Sequence, residues 1–88
     1  MSERNYGDDL RDVIGAAEIA ISQALHDGME SGYPAGDWLQ HDYDHHLEHA
    51  DGHVADLVGT NDLDEDQLRT ALSHAICRLA MAWARKEK

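Results

Sequence analysis

Residues 65–85 read EDQLRTALSHAICRLAMAWAR. No proline or glycine interrupts them, and the apolar positions return every three or four residues, which is the period of an α-helix rather than of a strand. At about 100° per residue, Leu68, Leu72, Ala75, Ile76, Leu79, Ala82 and Trp83 share one face. His74, Arg78, Met81 and Arg85 align on the opposite side at i, i+4, i+7 and i+11. The pattern predicts an amphipathic helix over 65–85, with the apolar face as its core face and a basic strip behind it.

Upstream, Asp62 with Glu65 three residues later has the form of a capping box. Before it, Tyr43, Leu47, Ala50, Val54, Leu57 and Val58 make the stripe of a helix predicted over 42–58, with Gly59 at the position that commonly ends one. A third periodic segment, predicted as a helix over 8–29, carries Leu10, Val13, Ile14, Ala17, Ile21, Ala24 and Leu25, with Asp8 or Asp9 as its N-cap. Gly28 and Gly32 are expected to loosen the chain after it. Tyr33-Pro34-Ala35-Gly36-Asp37-Trp38 reads as a tight turn, where proline restrains Tyr33 and Gly36 is free to take positive φ. No segment alternates with period two. The expected fold is all-α, a helical hairpin plus an N-terminal helix forming a single domain over 1–88.

The chain has 88 residues, and a domain so small buries only about 60% of its unfolded surface. With one cysteine, Cys77, no internal disulfide can stabilise it. Oligomerisation is the usual remedy, so a homo-oligomeric helical bundle is expected. The lone cysteine also suits a reducing cytoplasm, the host's if the source is viral. Eighteen Asp and Glu stand against seven Lys and Arg, a net charge of −11. That argues against a phosphate-backbone binder and disfavours an anionic membrane surface. No apolar run approaches the roughly 20 residues of a membrane span, and the N-terminus lacks a signal-peptide core.

Five of the seven histidines lie between His41 and His53. Asp42, His46, His49 and His53 fall along one flank of the second predicted helix, whereas His41 and His45 are expected to point into solvent. Neutral imidazoles at such spacing can ligate a divalent metal, and a metal set would comprise His46, His49, His53 and His74. The bland alternative is that these histidines bond backbone or carboxylate groups. The basic strip has the same two readings. His74, Arg78 and Arg85 suit a phosphate or carboxylate ligand, or they pair with acidic side chains of another helix or subunit. Trp38 and Tyr33 can stack on a base or simply cap a small core. Tyr6 lies in a polar N-terminal arm with no assigned packing.

Enzymatic motifs are sparse. No nucleophile elbow, Walker loop or dinucleotide fingerprint occurs. Cys77 is in a helix interior without an activating base, and the paired ExxE motif of all-α nucleotide pyrophosphohydrolases is missing.

The order of motifs nevertheless is similar to that of the phage-associated domain family called dATP/dGTP diphosphohydrolase, N-terminal. That family has a K-Y-P-x-G-N-W turn, an R-H near the end of the next helix, an acidic D-x-E connection and a helix with H-x-x-H-A. The matching residues are Tyr33, Pro34, Gly36, Asp37 and Trp38, then His53, then Asp64 and Asp66, then His74 and Ala75. Gly32, Gly52 and Ala71 replace the family's lysine, arginine and first histidine. The resemblance implies nucleotides and phage biology, and the depleted polar positions imply a diverged member. By analogy of size, phage proteins that sequester cyclic-nucleotide or ADP-ribose-type immune signals offer a second comparison.

The expectation is therefore a non-enzymatic homo-oligomer that binds a phosphorylated, nucleotide-type ligand between subunits, without a cofactor. Tyr33, Trp38, His53, His74, Arg78 and Arg85 are its candidate ligand-binding residues. The alternatives are a divalent-metal-dependent nucleotide phosphohydrolase and an acidic protein-binding module.

Overall fold

A computed structural model describes residues 3–59 and 62–87. Among them all regular secondary structure is helical: α1 (Tyr6–Glu30), a short 3₁₀ turn (Asp37–Gln40), α2 (Tyr43–Gly59) and α3 (Glu65–Glu87). No described helix is long and apolar enough to cross a membrane.

The three helices are those the periodicity predicts, with ends that differ for local reasons. α1 begins at Tyr6, so the expected polar arm is partly helical. Its N-cap is Asn5, whose side-chain oxygen accepts from the Asp8 amide at 2.9 Å, while Asp8 accepts from the Asn5 amide at 3.3 Å. Asp8 therefore occupies the third helical position and completes the box, instead of capping the helix itself. α1 ends on Gly32, φ +97°. The Tyr33 amide reaches back to the Gly28 carbonyl and the Gly32 amide to that of Met29, both at 3.0 Å. This is a Schellman closure, so Gly28 belongs to the helix and only Gly32 terminates it. Gly36, φ +83°, takes the positive φ expected of it and opens the 3₁₀ turn. Before α2, Asp42 accepts from the His45 amide at 2.9 Å, and is thus a cap instead of part of a ligating flank. The box before α3 is Asp64 with Gln67, at 2.9 and 2.8 Å, two residues after the predicted pair. Thr60 and Asn61 of the connection lie outside the described residues.

α3 is the central element and packs against both α2 and α1. The buried apolar residues are small: Ala24, Ala50, Ala75, Cys77 and Ala82, joined by Ser73 and His46. Short side chains let helix backbones approach closely, and the polar strip of α3 sits in the same inward arc. The expected core face of α3 is corrected accordingly. Ala75 and Ala82 are buried, but Leu72 is 52% exposed, Leu79 47% and Trp83 71%. His74, Arg78, Met81 and Arg85 are half-buried instead. The strip lies inward because each polar group on it finds a partner within the chain, which removes the cost of burying it.

Candidate functional site

The seam between α2 and α3 is organised around His46, the largest side chain that is completely buried. Its Nε2 lies 2.9 Å from the Trp38 carbonyl oxygen, and its Nδ1 lies 3.0 Å from Nη1 of Arg78. A carbonyl only accepts and a guanidinium only donates. His46 must therefore carry its proton on Nε2 and leave Nδ1 as an acceptor, which makes it the neutral ring. Burial holds its pKa below the ordinary imidazole value, and the Arg78 charge acts in the same direction, while the bond to Trp38 opposes them.

Two turns along α3, Nε of Arg85 donates to the His41 carbonyl at 3.2 Å. His41 and His45 are not free in solvent as expected. Their rings stack at 4.0 Å between centroids, 13° apart, and His49 follows at 4.4 Å from His45. The His41 ring also lies 3.7 Å from the Asp37 carboxylate. Partial burial lowers the pKa of His49, with Arg78 and the neighbouring histidines adding to the effect. Four imidazoles and two guanidiniums thus share one edge of the helix pair.

The charge arrangement there differs from that of the rest of the surface. Arg4, Arg11 and Arg69 each meet a carboxylate within 4 Å. Among the described residues, Arg78 and Arg85 meet none; both are anchored by neutral acceptors, which leaves their charge uncompensated.

A second cluster forms where α1 meets the hairpin. Nε2 of His74 lies 3.0 Å from Oδ2 of Asp27, and Gln23 donates to Oδ1 of the same carboxylate at 3.0 Å. The His74 bond, then Gln23, holds the Asp27 pKa below the ordinary carboxylate range. The His53 ring meets His74 edge-on at 5.3 Å. Burial lowers its pKa, helped by His74 and Arg78. Beside His53 opens a cavity of ≈ 350 Å³ bordered by Asp56, Asp66, Gln67 and Thr70.

The six candidate residues are therefore divided. Trp38, whose ring is 6.3 Å from His46, joins Arg78 and Arg85 at the seam. His53 and His74 form the second cluster, and Tyr33 is exposed on the connection after α1. The cationic side of α3 is closed by α2 and α1 of the same chain, where a second subunit was expected. The four-histidine metal set does not assemble: both ring nitrogens of His46 are engaged, and no group of three or more His, Cys, Asp or Glu among the described residues is placed to hold a metal ion. Burial raises the Cys77 thiol pKa, which leaves it a packing residue and a poor nucleophile. Sequence reading missed Asp27, whose signal was its place beside the α1 stripe, and the four-residue spacing of His41, His45 and His49 that stacks their rings.

No family model matches the chain, and neither do any curated protein or solved structure.

Proposed function

We propose that the chain is a homo-oligomeric helical protein that binds and sequesters a phosphorylated, nucleotide-type ligand without turning it over, with the α2–α3 seam as its anion site. The observation that carries this is the pair Arg78 and Arg85, held by His46 and the His41 carbonyl and lacking carboxylate partners among the described residues of a chain of charge −11. Each guanidinium keeps further N–H donors, and a phosphate accepts two at once. His45 and His49 offer additional donors beside them, and Trp38 is the base-stacking candidate. Distant Asp and Glu repel an anion, but salt screens them beyond about 8–10 Å while contacts at the seam persist.

The similarity of the Tyr33–Trp38 turn, His53, Asp64, Asp66 and His74 to the dATP/dGTP diphosphohydrolase, N-terminal family supports a nucleotide over a simple carboxylate. Gly32, Gly52 and Ala71, where that family has lysine, arginine and histidine, support retention over hydrolysis. The setting would be a cytoplasm, that of the host for a viral protein.

Calorimetric titration with deoxynucleoside triphosphates, cyclic nucleotides and ADP-ribose tests the reading. Binding of one of them is expected, weakened roughly thirtyfold by Arg85→Met, since a hydrogen bond to a charged group contributes about 2 kcal/mol. No heat from any ligand at protein concentrations well above micromolar overturns it. Phosphate release that a chelator abolishes would establish the metal-dependent hydrolase instead. Binding of a basic protein that survives Arg85→Met and disappears at high salt would establish the protein-binding module.

A further inference from the structure

The surface that this fold leaves exposed is larger than that of a folded monomer of its mass. The chain exposes 6865 Å², whereas a folded monomer of 9.8 kDa exposes about 5,200 Å². The excess is roughly 1,700 Å², against the roughly 800 Å² that each partner buries in a standard interface. The Cα radius of gyration tells the same story, 14.7 Å where about 12 Å fits a compact domain of this length.

Two helix faces contribute to the excess with large apolar side chains, beside scattered ones such as Ile19, Met29 and Val58. On α3 it is the outer face with Leu72, Leu79 and Trp83, which is 71% exposed. On α1 it is a continuation of the stripe that packs inside the chain. Ala24 is buried, but the same stripe runs on to Ile14, Val13 and Leu10, of which Val13 is 67% exposed. Among the described residues, Lys86 at the border of the α3 face and Glu18 at the border of the α1 stripe are in no ion pair within the chain, and their charges are opposite; Arg69 and Asp9, also at these borders, pair with Glu65 and Arg4.

We infer that a second copy of this chain covers these two faces, the outer face of α3 meeting the N-terminal half of α1 from the partner, and the reverse by symmetry. A symmetric pair uses each patch once on each chain, so these two faces are closed by one kind of contact. The outer face of α3 is opposite its basic strip. The seam of Arg78 and Arg85 therefore stays outside this contact, and each subunit carries its own. This deepens the self-association part of the proposed function and is independent of whether the seam binds an anion.

Sedimentation equilibrium on the full chain from 1 to 100 μM tests it, since the expected species is a dimer or a higher assembly of dimers. The Leu79→Glu/Trp83→Glu variant, changed only at exposed positions, is expected to weaken association at least a hundredfold with its far-ultraviolet circular dichroism unchanged. Val13→Glu on the other face should do the same, and it alone decides the matter if the α3 variant loses helicity. A wild-type monomer at 100 μM overturns the inference. So does an assembly that Val13→Glu leaves intact, because another surface would then hold it. Ligand titration of the monomeric variants separates the two readings, as an intact seam binds regardless of association.

Discussion

Nδ1 of His46 accepts from Nη1 of Arg78 at 3.0 Å while Nε2 donates to the Trp38 carbonyl at 2.9 Å, so one buried ring ties α2 to α3 and to the 3₁₀ turn before α2. The seam's geometry depends on a neutral histidine placed where a hydrophobic residue would ordinarily sit. Replacing it tests how much of the hairpin rests on that arrangement.

His46→Ala removes both bonds and opens a cavity at a fully buried site. A core truncation plus a lost buried polar partner costs about 3 kcal/mol, a large part of the 5–15 kcal/mol typical of a domain. Urea unfolding followed by circular dichroism is expected to show it. A midpoint within error of wild type would mean that the ring is not the tie.

Acid should loosen the same region. His46, His49 and His53 all have pKa values lowered from the ordinary 6.5, chiefly by burial. The unfolded chain then binds more protons than the folded one between those lowered values and 6.5, so stability rises with pH across that window. Their neutral forms therefore contribute fully above pH 6.5, and the contribution is lost as the pH falls through the folded-state values. Thermal melts from pH 8 to pH 5 are expected to show a falling Tm below 6.5, with a shallower slope in His53→Gln. A Tm that is flat or rises toward pH 5 contradicts the burial of these rings.

How far the sequence foretold this is clearest on α3. Its helical period, and those of α1 and α2, follow from the spacing of apolar residues, and Gly36 takes the φ its turn requires. What the period does not specify is who covers the face. Leu72, Leu79 and Trp83 announce an apolar surface that needs a partner, and the natural reading aims it at the chain's own core. The structure aims Ser73, Ala75, Cys77 and Ala82 there, because small residues permit close approach and His74, Arg78 and Arg85 all find internal acceptors. Those acceptors, Asp27, His46 Nδ1 and the His41 carbonyl, are 47, 32 and 44 residues away in the chain. No local pattern marks such pairs.

The Asp27–His74 pair makes a prediction of its own. Hydrogen bonding by His74 holds the Asp27 carboxyl below the ordinary 3.8. Its contribution to stability is therefore present above that value and lost as the pH falls through the folded-state pKa. In His74→Leu the carboxyl is expected to titrate nearer its ordinary value, as carbon-detected NMR of Asp27 would show. An unchanged titration would assign the lowering to Gln23, which bonds the other oxygen.

Gly15 within α1 and Gly32 just past its end are expected to respond to alanine with opposite sign. A Cβ at Gly32 meets nothing within 4 Å, and neither does one at Gly15, so crowding distinguishes neither. Only Gly32 has positive φ, at +97°, where it closes the helix through the Met29 carbonyl. Gly32→Ala forces a side chain into a left-handed conformation and should cost about 1–2 kcal/mol. Gly15, in the helix interior, carries the entropic cost of glycine with no conformational need for it. Gly15→Ala should therefore stabilise by about 0.5–1 kcal/mol. Chemical denaturation of the two variants side by side checks both signs. If Gly32→Ala were neutral, the Schellman closure would not be what ends α1; if Gly15→Ala were destabilising, the entropic cost of glycine would not be what distinguishes that position.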